Sequence, residues 1–157
     1  MSRRKVKTKY FTLPDVAYHS YLVHILISRI TFNGKKTLAQ NIIFKTFCII
    51  KERLNIEKPY KILEAAIRNV TPAIKIRTRK FKKTVKRIPI EINNFKGSNI
   101  AVRWILLCAN KRSGKTIALK LANELIDASN KSGEAHKKKL ETHRTAEANK
   151  TFAHSTY

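Results

Sequence analysis

The sequence predicts a mainly α protein, a bundle of about six helices with a protruding basic β-hairpin between the third and fourth helices. Three observations carry this prediction. Apolar residues recur at three- and four-residue spacing in five separate stretches. Between Ala73 and Ile92 the apolar period drops to two. The chain has 157 residues, 43% of them hydrophobic, enough for one core and therefore for a single domain over 1–157.

Residues 1–12 carry Arg3, Arg4, Lys5, Lys7 and Lys9 without an acid and read as an extended basic arm. Leu13-Pro14-Asp15 breaks the chain and offers an N-terminal cap. Leu22, Val23, Leu26, Ile27 and Ile30 then share one face, which predicts a helix from about Ala17 to Ile30. Asn33-Gly34 makes a tight turn with Lys35 and Lys36 exposed behind it, before a second stripe at Leu38, Ile42, Ile43, Phe47 and Ile50. Pro59 starts a third helix with Ile62, Leu63, Ala66, Ile67 and Val70 on its buried face, and Pro72 ends it.

In the hairpin, over 73–93, Ile74 and Ile76 alternate with Lys75 and Arg77, and Ile88, Ile90 and Ile92 alternate with Arg87, Pro89 and Glu91. Thr78 to Thr84 are expected to join the two strands. Helical spacing resumes at Ala101, Val102, Ile105, Leu106 and Ala109, and again at Ala118, Leu121, Ala122, Leu125 and Ser129. Lys131-Ser132-Gly133 ends the fifth helix. The sixth segment, HKKKLETHRTAEANK, is polar nearly all round, which predicts a helix lying against something other than its own core, with Lys137 and Lys138 on it and a tail over 151–157.

Charge sets the functional class. Lys and Arg number 34 against 10 Asp and Glu, a formal charge of +24, costly in self-repulsion unless a polyanion neutralises it, so nucleic acid is the leading partner. No acid falls between Glu64 and Glu91, while Lys75, Arg77, Arg79, Lys80, Lys82, Lys83, Lys86 and Arg87 crowd into the hairpin. A membrane partner is not expected. The apolar run WILLCA is short and flanked by Arg103 and Lys111, far from the roughly 18 residues of a spanning helix. Met1-Ser-Arg-Arg-Lys leads into no apolar stretch of a secretory signal. Cys48 and Cys108 stand alone in apolar surroundings, which predicts buried free thiols rather than a disulfide or a zinc site.

The stretch ANKRSGKT, 109–116, fits a relaxed nucleotide-binding pattern, in which a Gly-rich turn between a strand and a helix cradles phosphates. Ala101 to Leu106 before it repeat at helical spacing, and the only aspartates are Asp15 and Asp127, neither placed after an apolar strand. A helix-to-helix junction fits better, with Lys111, Arg112 and Lys115 forming a basic corner beside helix N-terminal amides. His143 and Glu147 are spaced i, i+4 with His136 seven residues before, but no third ligand or nucleophile completes a metal or acid–base site. No catalytic residue, metal or cofactor is therefore expected. Trp104 beside Arg103 could stack on a base or pack in the core. Phe81 sits among cations near the hairpin tip, where stacking on nucleic acid or docking to a protein fits better than a core role.

The order of features resembles the family of universal ribosomal protein seven of the small subunit, in its bacterial and organellar form. The likeness runs nearly end to end, from SRRK through LPD, NGKK, NVTP, the basic ribbon, IPIEI and AVRWIL to LANELIDA and HRTAEANKTFAH, the most specific stretch. The resemblance implies a non-enzymatic structural constituent that binds small-subunit ribosomal RNA in the head and nucleates head assembly. It also implies that the hairpin and C-terminal helix lie near the exit-site transfer RNA and the messenger RNA path, with other small-subunit proteins as neighbours.

Carried over, Arg3 and Arg4 match the family's basic arm, Lys35 and Lys36 its Gly-Lys-Lys turn, Arg77 and Arg79 its hairpin, and Arg103 and Trp104 its Arg-Trp pair. Lys111 and Arg112 match its Lys-Arg corner, and His143, Arg144, Glu147, Asn149 and Lys150 its C-terminal signature. The tip departs from the family's usual Gly-Gly turn, reading RKFKKT, and the ending Ser155-Thr156-Tyr157 departs from its usual aromatic and basic finish. The chain starts where mature members start, which implies synthesis in the compartment of use or prior removal of a presequence. With the heavy use of Ile, Lys and Asn, this favours an organelle ribosome, in the mitochondrial matrix or plastid stroma, over bacterial cytoplasm. The alternatives are a general nucleic-acid packaging protein or a small nucleotide hydrolase using Lys115 and Thr116.

Overall fold

The structure, a computed structural model, describes residues 13–81 and 84–151. The basic arm with Arg3, Arg4 and Lys5, the tip residues Lys82 and Lys83, and the last six residues lie outside the described residues, as does the side chain of Phe81.

Six helices and one hairpin follow one another: α1 Tyr21–Ile30, α2 Lys36–Leu54, α3 Tyr60–Val70, β1 Ile74–Phe81, β2 Thr84–Glu91, α4 Asn94–Lys111, α5 Ile117–Ser129 and α6 Gly133–Ala148. Helix α5 sits at the centre, packed by α2, α3, α4 and α6. Its buried face reads Ala118, Leu121, Ala122, Leu125 and Ala128, and the alanines let neighbouring helices approach while the leucines fill the space between them. Around it close Val23 and Leu26 of α1, Ile43, Phe47 and Ile50 of α2, Leu63 and Val70 of α3, and Ile105 of α4.

α1 starts at Tyr21, four residues later than the periodicity predicts. Asp15 does not cap the helix. Its carboxylate accepts from the amides of Ala17 and Tyr18 at 3.2 and 3.4 Å, and its carbonyl accepts from His19, whose φ is +48°. The cap is spent on a local turn that ends in a left-handed residue, from which no helix can propagate backwards. The next turn is as expected: Asn33 and Gly34 have φ of +50° and +74°, and Lys35 N donates to Phe32 O, the pattern of a type I′ turn. In α2 the buried face is Ala39, Ile43, Thr46, Phe47 and Ile50, which leaves the expected core residue Leu38 55% exposed.

The strands pair antiparallel from Ile74↔Glu91 to Phe81↔Thr84. The ladder therefore runs through Thr78–Phe81, a stretch that the sequence pattern assigns to the connection. Backbone hydrogen bonds continue there although no apolar alternation marks them. Cross-strand partners share a face, and Arg77 is opposite Ile88 while Ile76 is opposite Pro89. The isoleucines of the two strands thus lie on opposite faces, an arrangement that alternation within each strand does not reveal.

α6 also departs from expectation. It packs on α3, α4, α5 and β1, with Ala135 in the core and Ala146 buried. Three polar ties accompany these alanines: Ala135 N donates to Glu124 Oε1 at 3.1 Å, Lys139 Nζ to Asn69 O at 2.7 Å, and Ala73 N to His143 Nε2 at 3.3 Å. Asn69 in turn donates to the carbonyls of Ala128 and Ser129, satisfying the C-terminal end of α5.

Gly97 lets the start of α4 cross the end of α3. A Cβ there would stand 2.8 Å from Thr71 Cγ2 and 3.2 Å from the Pro72 carbonyl. A Gly97→Val variant is expected to lose about 1–3 kcal/mol by overpacking, read as a lowered urea midpoint with an unchanged slope.

Candidate nucleic-acid interface

The hairpin sorts its cations by face. Lys75, Arg77 and Arg79 of β1 share a face with their cross-strand partners Ile90, Ile88 and Lys86, whereas Lys80 and Arg87 are on the other. Arg79 and Lys86 are register partners, two cations on one face of the ladder. Lys75, Arg77, Arg79, Lys80 and Arg87 are exposed, so the ribbon offers charge to a partner and spends little of it on its own core.

At the base of the ribbon two grooves meet. One lies between β1 and α4 and is lined by Ile74, Lys75, Arg103, Trp104 and Thr142 of α6. Trp104 is half-buried and packs on the core, while Arg103 beside it is exposed, so the indole braces the position from which the guanidinium reaches out. The other groove lies on the opposite flank of Lys75, against α4 and the end of α1. The structure therefore brings Lys75, Arg77, Arg103 and Trp104 together, with His143 attached through its bond from Ala73 N. Sequence reasoning did not single out Arg29, Phe95 or Lys96, which join Lys75 and Arg77 in the second groove. They are isolated in sequence, on two helices and outside any charge run, so no local pattern marks them.

Other expected residues sit elsewhere. Lys35 is exposed at the N-cap of α2 and Lys36 at its first position, and Lys111 and Lys115 are exposed at the corner between α4 and α5. On α6, Lys137 and Arg144 are exposed and Lys138 half-buried; Lys150, two residues beyond the helix, is exposed. Asn149 turns its amide inward onto Thr145 O at 2.7 Å.

Arg112, expected as a nucleic-acid contact, is tied within the corner. Its Nε donates to Glu124 Oε2 and its terminal nitrogen to Asp127 Oδ2. Glu124 is fully buried, and Arg112 is the cation that makes that burial tolerable. Desolvation opposes the guanidinium charge, but the hydrogen bonds to Asp127 and Glu124 outweigh it and hold the Arg112 pKa above its ordinary value. Arg112 is a strut of the corner. In the same loop Thr116 caps α5, its Oγ1 accepting from Leu119 N at 3.3 Å. ANKRSGKT runs from α4 into α5 with a helix before it, so the strand-to-helix geometry of a phosphate loop is not built here.

The thiols are both free, Cys108 buried and Cys48 half-buried rather than buried. Burial pushes the Cys108 thiol pKa up, which keeps it protonated and unreactive. Burial, followed by the charges of Lys139 and Lys131, lowers the His136 pKa below its ordinary 6.5. The unfolded chain then takes up the proton first as pH falls, so stability present above about 6.5 is lost on acidification through the folded pKa. The urea midpoint is expected to drop as pH falls below about 6.5, and to drop less in His136→Gln.

The sequence profile of the family "Ribosomal protein S7p/S5e" matches residues 2–150. The chain is 43% identical over 157 residues to the small ribosomal subunit protein uS7 of Gloeothece citriformis and, equally, of Microcystis aeruginosa, both cyanobacterial, covering 100% of each chain. It is 41% identical, over the same full lengths, to that of Arthrospira platensis.

Proposed function

Because the chain belongs to the ribosomal protein S7p/S5e family, we propose that it binds small-subunit ribosomal RNA in the head, nucleates assembly of that head, and lies near the exit-site transfer RNA and messenger RNA. The family is one of ribosomal structural proteins of the small subunit, not of enzymes. The observation that carries the proposal is the ribbon, where Lys75, Arg77, Arg79, Lys80 and Arg87 are all exposed on two paired strands.

The chemistry is charge neutralisation. Lys75, Arg77, Arg79, Lys80, Lys86, Arg87, Arg103, Lys111, Lys115 and the α6 cations displace counterions from RNA phosphates, which gives affinity that falls steeply with salt. A-form grooves display shape and 2′-hydroxyls more than sequence. Specificity then comes from holding these cations at fixed separations on a helical bundle, so that one RNA junction fits. The whole chain acts as one such unit, in an organelle ribosome. The cyanobacterial character of the relatives supports a plastid-type ribosome within that class.

Footprinting tests this directly. Small-subunit ribosomal RNA probed with hydroxyl radicals should gain protections confined to the head when the chain is added. Protections scattered over all domains in proportion to exposed phosphate would overturn the proposal.

A further inference from the structure

Between the end of α1, the base of the hairpin and the first turns of α4 lies a groove of about 690 Å³, within the roughly 300–1,000 Å³ range of ligand clefts. Its floor is apolar, formed by Ile90, Ile92 and Ile100. Its rim sets four cations, Arg29, Lys75, Arg77 and Lys96, against one carboxylate, Glu91. Phe95 stands in it 55% exposed. Tyr21 backs the Phe95 ring, with centroids 5.9 Å apart and planes inclined by 31°, so the ring is braced from one direction and open in another.

An open aromatic ring over an aliphatic floor calls for a flat apolar group, and the rim calls for negative charge close to that group. A duplex cannot supply both, because its bases are stacked away from its phosphates. An unpaired nucleotide can, by laying its base on the ring and its flanking phosphates among the cations. A protein segment could fill the floor, but only a strongly acidic one would answer the rim. We propose that this groove holds one unstacked nucleotide of RNA, with its base on Phe95 and its phosphates at Lys75, Arg77 and Lys96. The inference rests on the RNA-binding reading and adds to it a contact that charge alone does not provide.

The test uses the full chain, its Phe95→Leu and Phe95→Tyr variants, a short unpaired oligoribonucleotide, and an abasic oligomer of the same length and charge. Leu keeps apolar bulk beside Tyr21 but removes the stacking face. The unmodified chain should bind the base-bearing oligomer about tenfold tighter than the abasic one. Phe95→Leu should abolish most of that preference without altering the salt dependence, and Phe95→Tyr should retain it. Lys96→Ala should do the converse, lowering the slope of log affinity against log salt by about 0.7 with the preference intact.

Equal binding of the two oligomers, or an undiminished preference in Phe95→Leu, overturns the inference. So does Phe95→Leu that binds RNA normally but loses a neighbouring protein in a reconstituted subunit, which assigns the groove to protein. Head RNA preferred over duplex DNA without any base preference sinks the groove proposal and leaves the ribosomal reading standing. Base preference without preference for head RNA does the reverse.

Discussion

Arg112→Ala is expected to destabilise the fold by about 3–5 kcal/mol, because it strands a buried carboxylate. Glu124 is fully buried, and its two oxygens are engaged by Arg112 and by the amide of Ala135. Removing the guanidinium leaves one N–H to offset the whole charge. A surface arginine used for phosphate would cost next to nothing on truncation, so the size of the loss separates the two roles. A second substitution sharpens the test. Glu124→Gln keeps an oxygen for Ala135 N but removes the charge, so Arg112→Ala with Glu124→Gln should recover part of the lost stability. Such a recovery is the coupling that a double-mutant cycle measures. Urea unfolding of the four proteins provides the comparison. Additive losses, or a loss below about 1 kcal/mol for Arg112→Ala, would mean that the corner does not depend on this strut.

Replacing Thr78 to Thr84 by a short turn is the second large change, and its expected effect falls on RNA rather than on folding. The segment removes four cations, Arg79, Lys80, Lys82 and Lys83, while the ladder from Ile74↔Glu91 to Arg77↔Ile88 and the buried Ile88 remain. Helix content and the thermal midpoint should stay close to those of the full chain. The slope of log affinity against log salt should become shallower, by at most about 3 if every lost cation sat on a phosphate. Preference for head RNA should persist, with altered contacts near the exit site. Loss of helix content on the same replacement would mean that the ribbon tip is part of the core.

Much of this fold is legible in the sequence because its helices bury large apolar side chains on one face. In α3, Leu63, Ala66, Ile67 and Val70 are buried at the predicted spacing, and α4 and α5 behave likewise. The pattern fails where burial is achieved by small or polar residues. α6 docks through Ala135 and Ala146 with ties from Glu124, Lys139 and His143, and alanine among charges carries no periodic signal. The late start of α1 reflects a choice between two local uses of Asp15, turn or cap, that composition does not decide.

The interface divides in the same way. The hairpin cations are conspicuous as a charge run, but their division between the two faces depends on register, a property of two strands together. Arg112 reads as one more cation of a basic corner until Glu124 and Asp127, a turn of helix apart on α5, come within reach. Arg29, Phe95 and Lys96 acquire a common role only when α1 and α4 close on the ribbon.

The proposed function has fixed cations on this scaffold recognise one RNA shape. It is tested most directly by a salt-dependent binding titration against the head domain of small-subunit ribosomal RNA, with an unrelated folded RNA and duplex DNA of equal length as competitors. Tight binding that survives both competitors while weakening steeply with salt is the expected result. Equal binding to all three nucleic acids with one common salt slope would contradict it and leave a protein that merely coats polyanions.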